Sequence, residues 1–159
     1  MVAKRLSNLS SSMGRAPLFV RTSAVTREHL ERLDGLRHCP MIFQERVPKA
    51  RELRIAYVDG RLFVGRIDAT DLVDWRSGSP QQLRWMADDL PEPTAAALRR
   101  TMQHLGLRYG AIDLIRTPQG EHVFLEVNAT GEWGMLERDL RLPISAAIAD
   151  ALAGVEGCS

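Results

Sequence analysis

A chain of 159 residues, 45% hydrophobic and 26% charged, has the make-up of one ordinary globular domain, with at most a fragment of another. Its formal net charge of +1 excludes a global field that would recruit nucleic acid or an anionic membrane. No apolar run approaches the roughly 20 residues needed to span a bilayer.

From the N-terminus, Val2-Ala3-Lys4 reads as a strand end, followed by a Ser-rich stretch closing at Gly14. Residues 1–27 carry four arginines and no acid, the composition of a transit peptide, yet Leu18-Phe19-Val20 reads as a strand and no secretory apolar core precedes it. Thr26 predicts the cap of a helix with Leu30 and Leu33 on one face, ending near Gly35. Cys39 and Cys158 match no metal spacing and cannot build a disulfide framework, as expected of reduced thiols in a cytoplasmic protein. After Pro40 a strand is expected over 41–47.

Asp59-Gly60 between two alternating runs predicts a hairpin of 52–58 with 61–69. Residues 70–90 are polar and punctuated by Gly78 and Pro80, which predicts an irregular excursion. Pro91 and Pro93 open a helix with Leu98, Met102 and Leu105 inward and Gly106 as its stop. A second hairpin, 109–116 with 121–128, turns through 117–120, and a helix over 143–153 with Ile144, Ala147, Ile148 and Ala151 closes the chain. The order predicts an α+β fold: a mainly antiparallel sheet flanked by helices.

The second hairpin carries the chemistry. Ile112 and Leu114 alternate with Asp113, and Val123, Leu125 and Val127 alternate with Glu126 and Asn128. An even-membered turn would set Asp113 opposite Phe124 and place Glu126 one diagonal step away on the face of Asp113; an odd turn would break the cluster. Two carboxylates and an amide oxygen on one face either stand solvated or share a hard divalent cation, which relieves their repulsion.

The wording Gly110-Ala111-Ile112-Asp113-Leu114 and Phe124-Leu125-Glu126-Val127-Asn128 resembles the metal-binding end of the ATP-grasp ligases. Phe43-Gln44-Glu45-Arg46-Val47-Pro48-Lys49, Glu52-Leu53-Arg54 and the closing Leu142-Pro143-Ile144 helix narrow the likeness to the ligases that crosslink ribosomally made peptides, the microviridin-type (graspetide) maturases. The resemblance implies that Asp113, Glu126 and Asn128 hold Mg²⁺. It implies that Gln44, Glu45, Arg46 and Val47 form the hinge of the adenine pocket, although the same segment reads equally as a core strand. It further implies that Lys4 and Arg54 reach the phosphates of ATP, and that Arg54 and Arg76 serve the catalytic step. For Arg76, in Asp74-Trp75-Arg76, a loop anchored by one tryptophan is the simpler reading.

The implied activity is ATP- and Mg²⁺-dependent activation of a carboxylate, through an acyl phosphate, to form an ester or amide crosslink in a precursor peptide. The alternatives are an ATP-grasp amino-acid ligase for a protein or small-molecule carboxylate, and a non-catalytic ATP-grasp fragment. The family is roughly twice this long. The expectation is therefore a C-terminal ATP-grasp region truncated at its N-terminus: residues 1–40 a remnant of the first subdomain, 41–155 the C-terminal subdomain with hinge and metal site, and 156–159 a tail. A separate N-terminal half or a second copy of the chain would then be the partner beside the peptide; nucleic acid and membrane are not expected partners. One departure concerns the site: Ala129-Thr130-Gly131 stands where the family has a proline after the asparagine, removing a rigid residue beside a metal ligand.

Overall fold

The computed structural model describes residues 1–5, 11–12, 17–18, 21–38, 40–68, 72–78 and 84–154. They fall into two units, Met1–Pro48 with Asp71–Ser79, and Lys49–Thr70 with Pro80–Ser159.

In the first unit β1 (Val2–Arg5) is the central strand of an antiparallel sheet. Ser11–Ser12 (β2) and Pro17–Leu18 (β3) pair in a separate short ladder, and Phe19 and Val20 of the expected strand lie outside the described residues. β1 is flanked by β4 (Ser23–Ala24) and β5 (Met41–Gln44). Thr26 caps α1 (Arg27–Leu30) as its residue type predicts: its hydroxyl accepts from the His29 N–H, and the His29 ring accepts from the Thr26 N–H. The helix stops after one turn, however, and a 3₁₀ helix, Leu33–Arg37, replaces the expected continuation. Leu30 and Leu33 are consequently 47% and 46% exposed and form no buried face. The strand expected over 41–47 ends at Gln44, whose pairing with Val2 is the last of the ladder.

The second unit is built on a five-stranded antiparallel sheet in the order β10-β9-β6-β7-β8. β6 (Arg51–Val58) and β7 (Arg61–Ile67) join through Asp59 and Gly60, whose φ angles of 47° and 92° match a two-residue turn with left-handed twist at both positions. β8 (Met86–Ala87) is a two-residue edge strand inside the segment expected to be irregular. α2 (Glu92–His104) lays Leu98 and Met102 on Leu53, Ile55, Tyr57, Ile112 and Leu114 of the sheet. Leu105 is the residue that ends α2, not a member of its buried stripe, and it is 51% exposed.

β9 (Tyr109–Arg116) and β10 (His122–Asn128) form the second hairpin. On the sheet face opposite α2 lie α3 (Gly134–Leu140) and α4 (Ile144–Ala153). Leu136, Ile144 and Ala147 are buried there, and Arg61 ties α4 to β7 by donating to the Ala147 carbonyl at 2.8 Å. Gly65 makes this approach possible, because a Cβ there would sit 2.4 Å from Leu136 and 3.2 Å from Trp85. The α+β architecture with helices flanking an antiparallel sheet is as expected. Among the described residues no helix is long and apolar enough to cross a membrane.

A polar network closes the α2 face of the sheet at its hairpin end. Asp88 accepts from Arg116 at 2.9 Å and lies 3.6 Å from Arg66, while the Arg116 Nε donates to the His122 ring at 3.0 Å. Burial alone would raise the Asp88 carboxyl, but the Asp89 N–H and the Arg116 guanidinium more than reverse this and hold it below its ordinary value of 3.8. Because the folded value is the lower one, the stabilisation is complete above about pH 4 and is lost as pH falls through the folded value. Asp88→Asn is therefore expected to cost about 1–3 kcal/mol at neutral pH and to flatten the acid limb of stability. Urea unfolding of both chains between about pH 3 and pH 6 checks this.

Candidate metal and phosphate site

The site grows from the register of β10 on β9. The turn is odd-membered: Arg116 pairs with His122, and Pro118, Gln119 and Gly120 form a three-residue loop with Gly120 at φ 87°. Had that register continued, Asp113 would have faced Leu125 and the cluster would have been lost. A β-bulge at Leu125 restores it. Phe124 pairs with Leu114, Leu125 has no partner, and Glu126 lies directly opposite Asp113, with Asn128 opposite Ala111. The expected even turn and Asp113–Phe124 pairing are thus corrected, yet the three residues still share one face. Phe124, on the near side of the bulge, keeps the register set by the turn and is 45% exposed.

On the neighbouring strand Arg54 is the direct partner of Asp113. Its Nη1 donates to both carboxylate oxygens, each at 2.8 Å, and the two side chains are 6% and 15% exposed. Nε and Nη2 donate to the Glu132 carbonyl at 3.3 and 3.0 Å. The guanidinium is therefore fixed from two sides, by a carboxylate and by the loop after β10.

That loop is rigid without a proline. The Asn128 side-chain oxygen accepts from the Thr130 N–H at 2.9 Å and its hydroxyl at 3.1 Å, and the Gly131 N–H donates to the Asn128 carbonyl at 3.1 Å. The Tyr109 hydroxyl donates to the Gly131 carbonyl; burial raises the Tyr109 pKa, against a smaller opposing effect of Arg54. A Cβ at Gly131 would stand 2.4 Å from the Ala111 Cβ and 3.0 Å from Arg54 Nη2, so the loop passes this close only with glycine there. Tyr109, Gly131 and the Glu132 carbonyl are parts of the site that pattern reading missed. Only Gly131, three residues after a candidate ligand, carried a visible signal.

The donor set suits a hard cation in part. Asp113 and Glu126 face each other, and among the described residues no third His, Cys, Asp or Glu joins a metal-binding group. Asn128 stands beside them, but both lone pairs of its amide oxygen are taken by Thr130. Beyond Arg54 on β6, Glu52 pairs with Lys49, and both residues are half-buried.

The other candidates belong to the first unit. Lys4 pairs with Ile42 and Gln44 with Val2, so Lys4 and Gln44 share one face of that sheet. Glu45 and Arg46 are exposed and Val47 is half-buried, in an extended segment beyond the strand. Arg76 lies in a 3₁₀ turn, Trp75–Ser77, of which the backbone is described; its neighbour Asp74 is buried and accepts from the Thr22 N–H at 3.3 Å.

The two units, one a five-stranded antiparallel sheet flanked by helices and the other a smaller α+β unit, match about half of an ATP-grasp ligase. Among solved structures the chain is similar to macrocyclase MdnC of Microcystis aeruginosa, bound with its precursor peptide MdnA, at 39% identity and TM-score 0.83 over 96% of this chain. It is similar to a RiPP-associated ATP-grasp ligase of Chryseobacterium gregarium in complex with ADP and a leader and core peptide, at 31% identity and TM-score 0.86 over 98% of this chain. It also matches macrocyclase MdnB of M. aeruginosa, at 41% identity and TM-score 0.59 over 85%. The chain spans about half the length of these relatives, 46%, 49% and 48% respectively. No family profile matches the sequence, and no curated protein matches it. The likeness to the peptide-crosslinking ATP-grasp ligases read from the sequence is borne out.

Proposed function

We propose that this chain supplies the metal- and phosphate-binding half of an ATP-dependent ligase that crosslinks a ribosomally made peptide. The observation that carries the reading is the bulge-corrected pairing of Glu126 with Asp113, next to an Arg54 whose guanidinium is already oriented. A chain 39% identical to a macrocyclase bound with its precursor peptide supports the substrate class.

In this reading Asp113, Glu126 and Asn128 would hold Mg²⁺, the Asn128 amide oxygen being the one that accepts from Thr130 in the free chain. The bound ion would neutralise phosphate charge, the main requirement of phosphoryl transfer. Arg54, held by Asp113 and the Glu132 carbonyl, would lend its charge to the γ-phosphate as the substrate carboxylate attacks phosphorus and ADP departs with the bridging oxygen. A peptide hydroxyl or amine then attacks the resulting acyl phosphate, its proton is lost, and inorganic phosphate leaves. Lys4 and Arg76 serve the phosphates and the acyl phosphate, and residues 44–47 hold adenine by their backbone groups. Residues 1–40 belong to the first ATP-grasp subdomain and 41–155 to the C-terminal one, and the protein acts in the cytoplasm.

The test is ADP release together with loss of one water per crosslink, read by mass spectrometry, from a precursor-type peptide rich in Glu, Thr and Lys. Both signals are expected to need Mg²⁺ and to fall at least about a hundredfold in Asp113→Asn/Glu126→Gln. ADP and dehydrated peptide formed equally by that variant would refute the site. The alternative reading is a nucleotide-binding module without turnover; Mg-ATP binding by calorimetry with no dehydrated peptide would select it.

A further inference from the structure

The α2 face of the large sheet carries, at its hairpin end, a row of charged side chains that the proposed nucleotide site does not use. Arg51, Arg116 and His122 are direct cross-strand neighbours on β6, β9 and β10, and Arg66 stands on the same face of β7, opposite Leu53. Three of the four are well satisfied. Arg51 Nε donates to Asp68 at 3.0 Å, and Arg116 donates to Asp88 at 2.9 Å, to the Asp89 carbonyl at 3.2 Å and to His122 at 3.0 Å.

Arg66 is different. Its nearest carboxylate oxygens are 3.6 Å away on Asp88 and 3.9 Å away on Asp68, both beyond hydrogen-bond length. Among the described residues its Nη2 reaches only the Met86 sulfur, at 3.8 Å, and its Nε is buried with no hydrogen-bond partner. Among the described residues no oxygen acceptor lies at bonding distance, so the buried Nε is costly to leave unpaired, and the planar fork of the guanidinium matches a carboxylate. The side chain is 25% exposed, which leaves part of it open to solvent. Among the described residues the carboxylates within 4 Å of the three arginines are those of Asp68 and Asp88, which leaves one positive charge in this contact set, since His122 accepts from Arg116 and is neutral. A monoanion completes that balance, whereas a phosphate dianion overshoots it.

The geometry points to a carboxylate-binding site centred on Arg66, with Arg51 and Arg116 beside it, that takes the Glu or Asp side chain of a peptide. It lies on the face of the sheet opposite Asp113 and Glu126, so it stands or falls independently of the nucleotide reading.

His122 is the built-in reporter, being bonded to Arg116. Titration of the whole chain with the α-amide of N-acetylglutamate, with its glutamine counterpart and with inorganic phosphate is followed by NMR on the His122 ring. The glutamate compound is expected to give a saturable shift and the glutamine compound none. Arg66→Gln and Arg66→Lys, the latter keeping the charge but not the fork, should each weaken binding by about tenfold or more. The Asp113→Asn/Glu126→Gln chain should respond as the parent does, which separates this site from the nucleotide site. Equal shifts with the glutamine compound, tighter binding of phosphate, no saturable shift, or an unchanged response in Arg66→Gln would each overturn the proposal. Should the Arg66 variants fail to fold, the comparison of the glutamate and glutamine compounds on the parent chain decides it alone.

Discussion

Arg54→Met is expected to lower stability by about 3–5 kcal/mol, because it strands the largely buried Asp113 carboxylate and removes both donors from the Glu132 carbonyl. For a unit of this size that corresponds to a melting temperature lower by roughly 10 °C or more. A bad steric fit could give the same number, so the informative measurement is the double variant. Arg54→Met/Asp113→Leu replaces the pair by apolar side chains of similar volume and should recover much of the loss, since a buried ion pair contributes little net stability when both partners go. Thermal unfolding of the two single variants, the double variant and the parent gives the coupling between the residues. If the losses merely add, the salt bridge is not what holds the two strands' side chains in place. The double variant should stay folded yet bind no divalent ion, which would assign the pair to function rather than to the fold.

Gly131→Ala carries the second large effect. Its new Cβ would lie 2.4 Å from the Ala111 Cβ and 3.2 Å from the Asn128 Cβ, and both of those atoms are fixed to strand backbone. The φ angle at Gly131 is not in the left-handed region, so glycine is required here for space and not for backbone freedom. The loop must then lift, pulling the Glu132 carbonyl from Arg54 and the Gly131 carbonyl from the Tyr109 hydroxyl. A cost of about 1–3 kcal/mol is expected, with a divalent-ion affinity at least about tenfold weaker. Ala111→Gly in the same chain removes the closest atom and should restore most of both; chemical denaturation and metal titration of the three chains check it. Full affinity in Gly131→Ala alone would show that the loop does not position the ligands.

Much of the second unit was legible in the sequence because its signals are local. Asp59-Gly60 dictates a two-residue turn, Pro91 and Gly106 bracket α2, and the alternation through Asp113 fixes which side chains leave the core. What was not legible depended on non-local or very short features. The register around Asp113 combines an odd turn with a bulge at Leu125, and two departures from parity cancel without trace in the pattern. α3 was missed because seven residues with only Leu136 fully buried carry almost no periodicity, and β8 because two residues carry none. Leu105 fits the apolar spacing of α2 but sits where the helix has already ended. The clamp on Arg54 was invisible for another reason: the Glu132 carbonyl that helps hold it belongs to the backbone, which sequence does not distinguish from residue to residue.

The central claim, that Asp113, Glu126 and Asn128 hold a divalent cation, is tested most directly with Mn²⁺ in place of Mg²⁺ and paramagnetic broadening read along the chain by NMR. The arrangement predicts that substoichiometric Mn²⁺ broadens the amide signals of Asp113, Glu126 and Asn128 first, and that Mg²⁺ in excess reverses it. In Asp113→Asn/Glu126→Gln the broadening should vanish while the rest of the spectrum is kept. Broadening that survives in this variant, or that centres on other residues in the parent chain, would contradict the site.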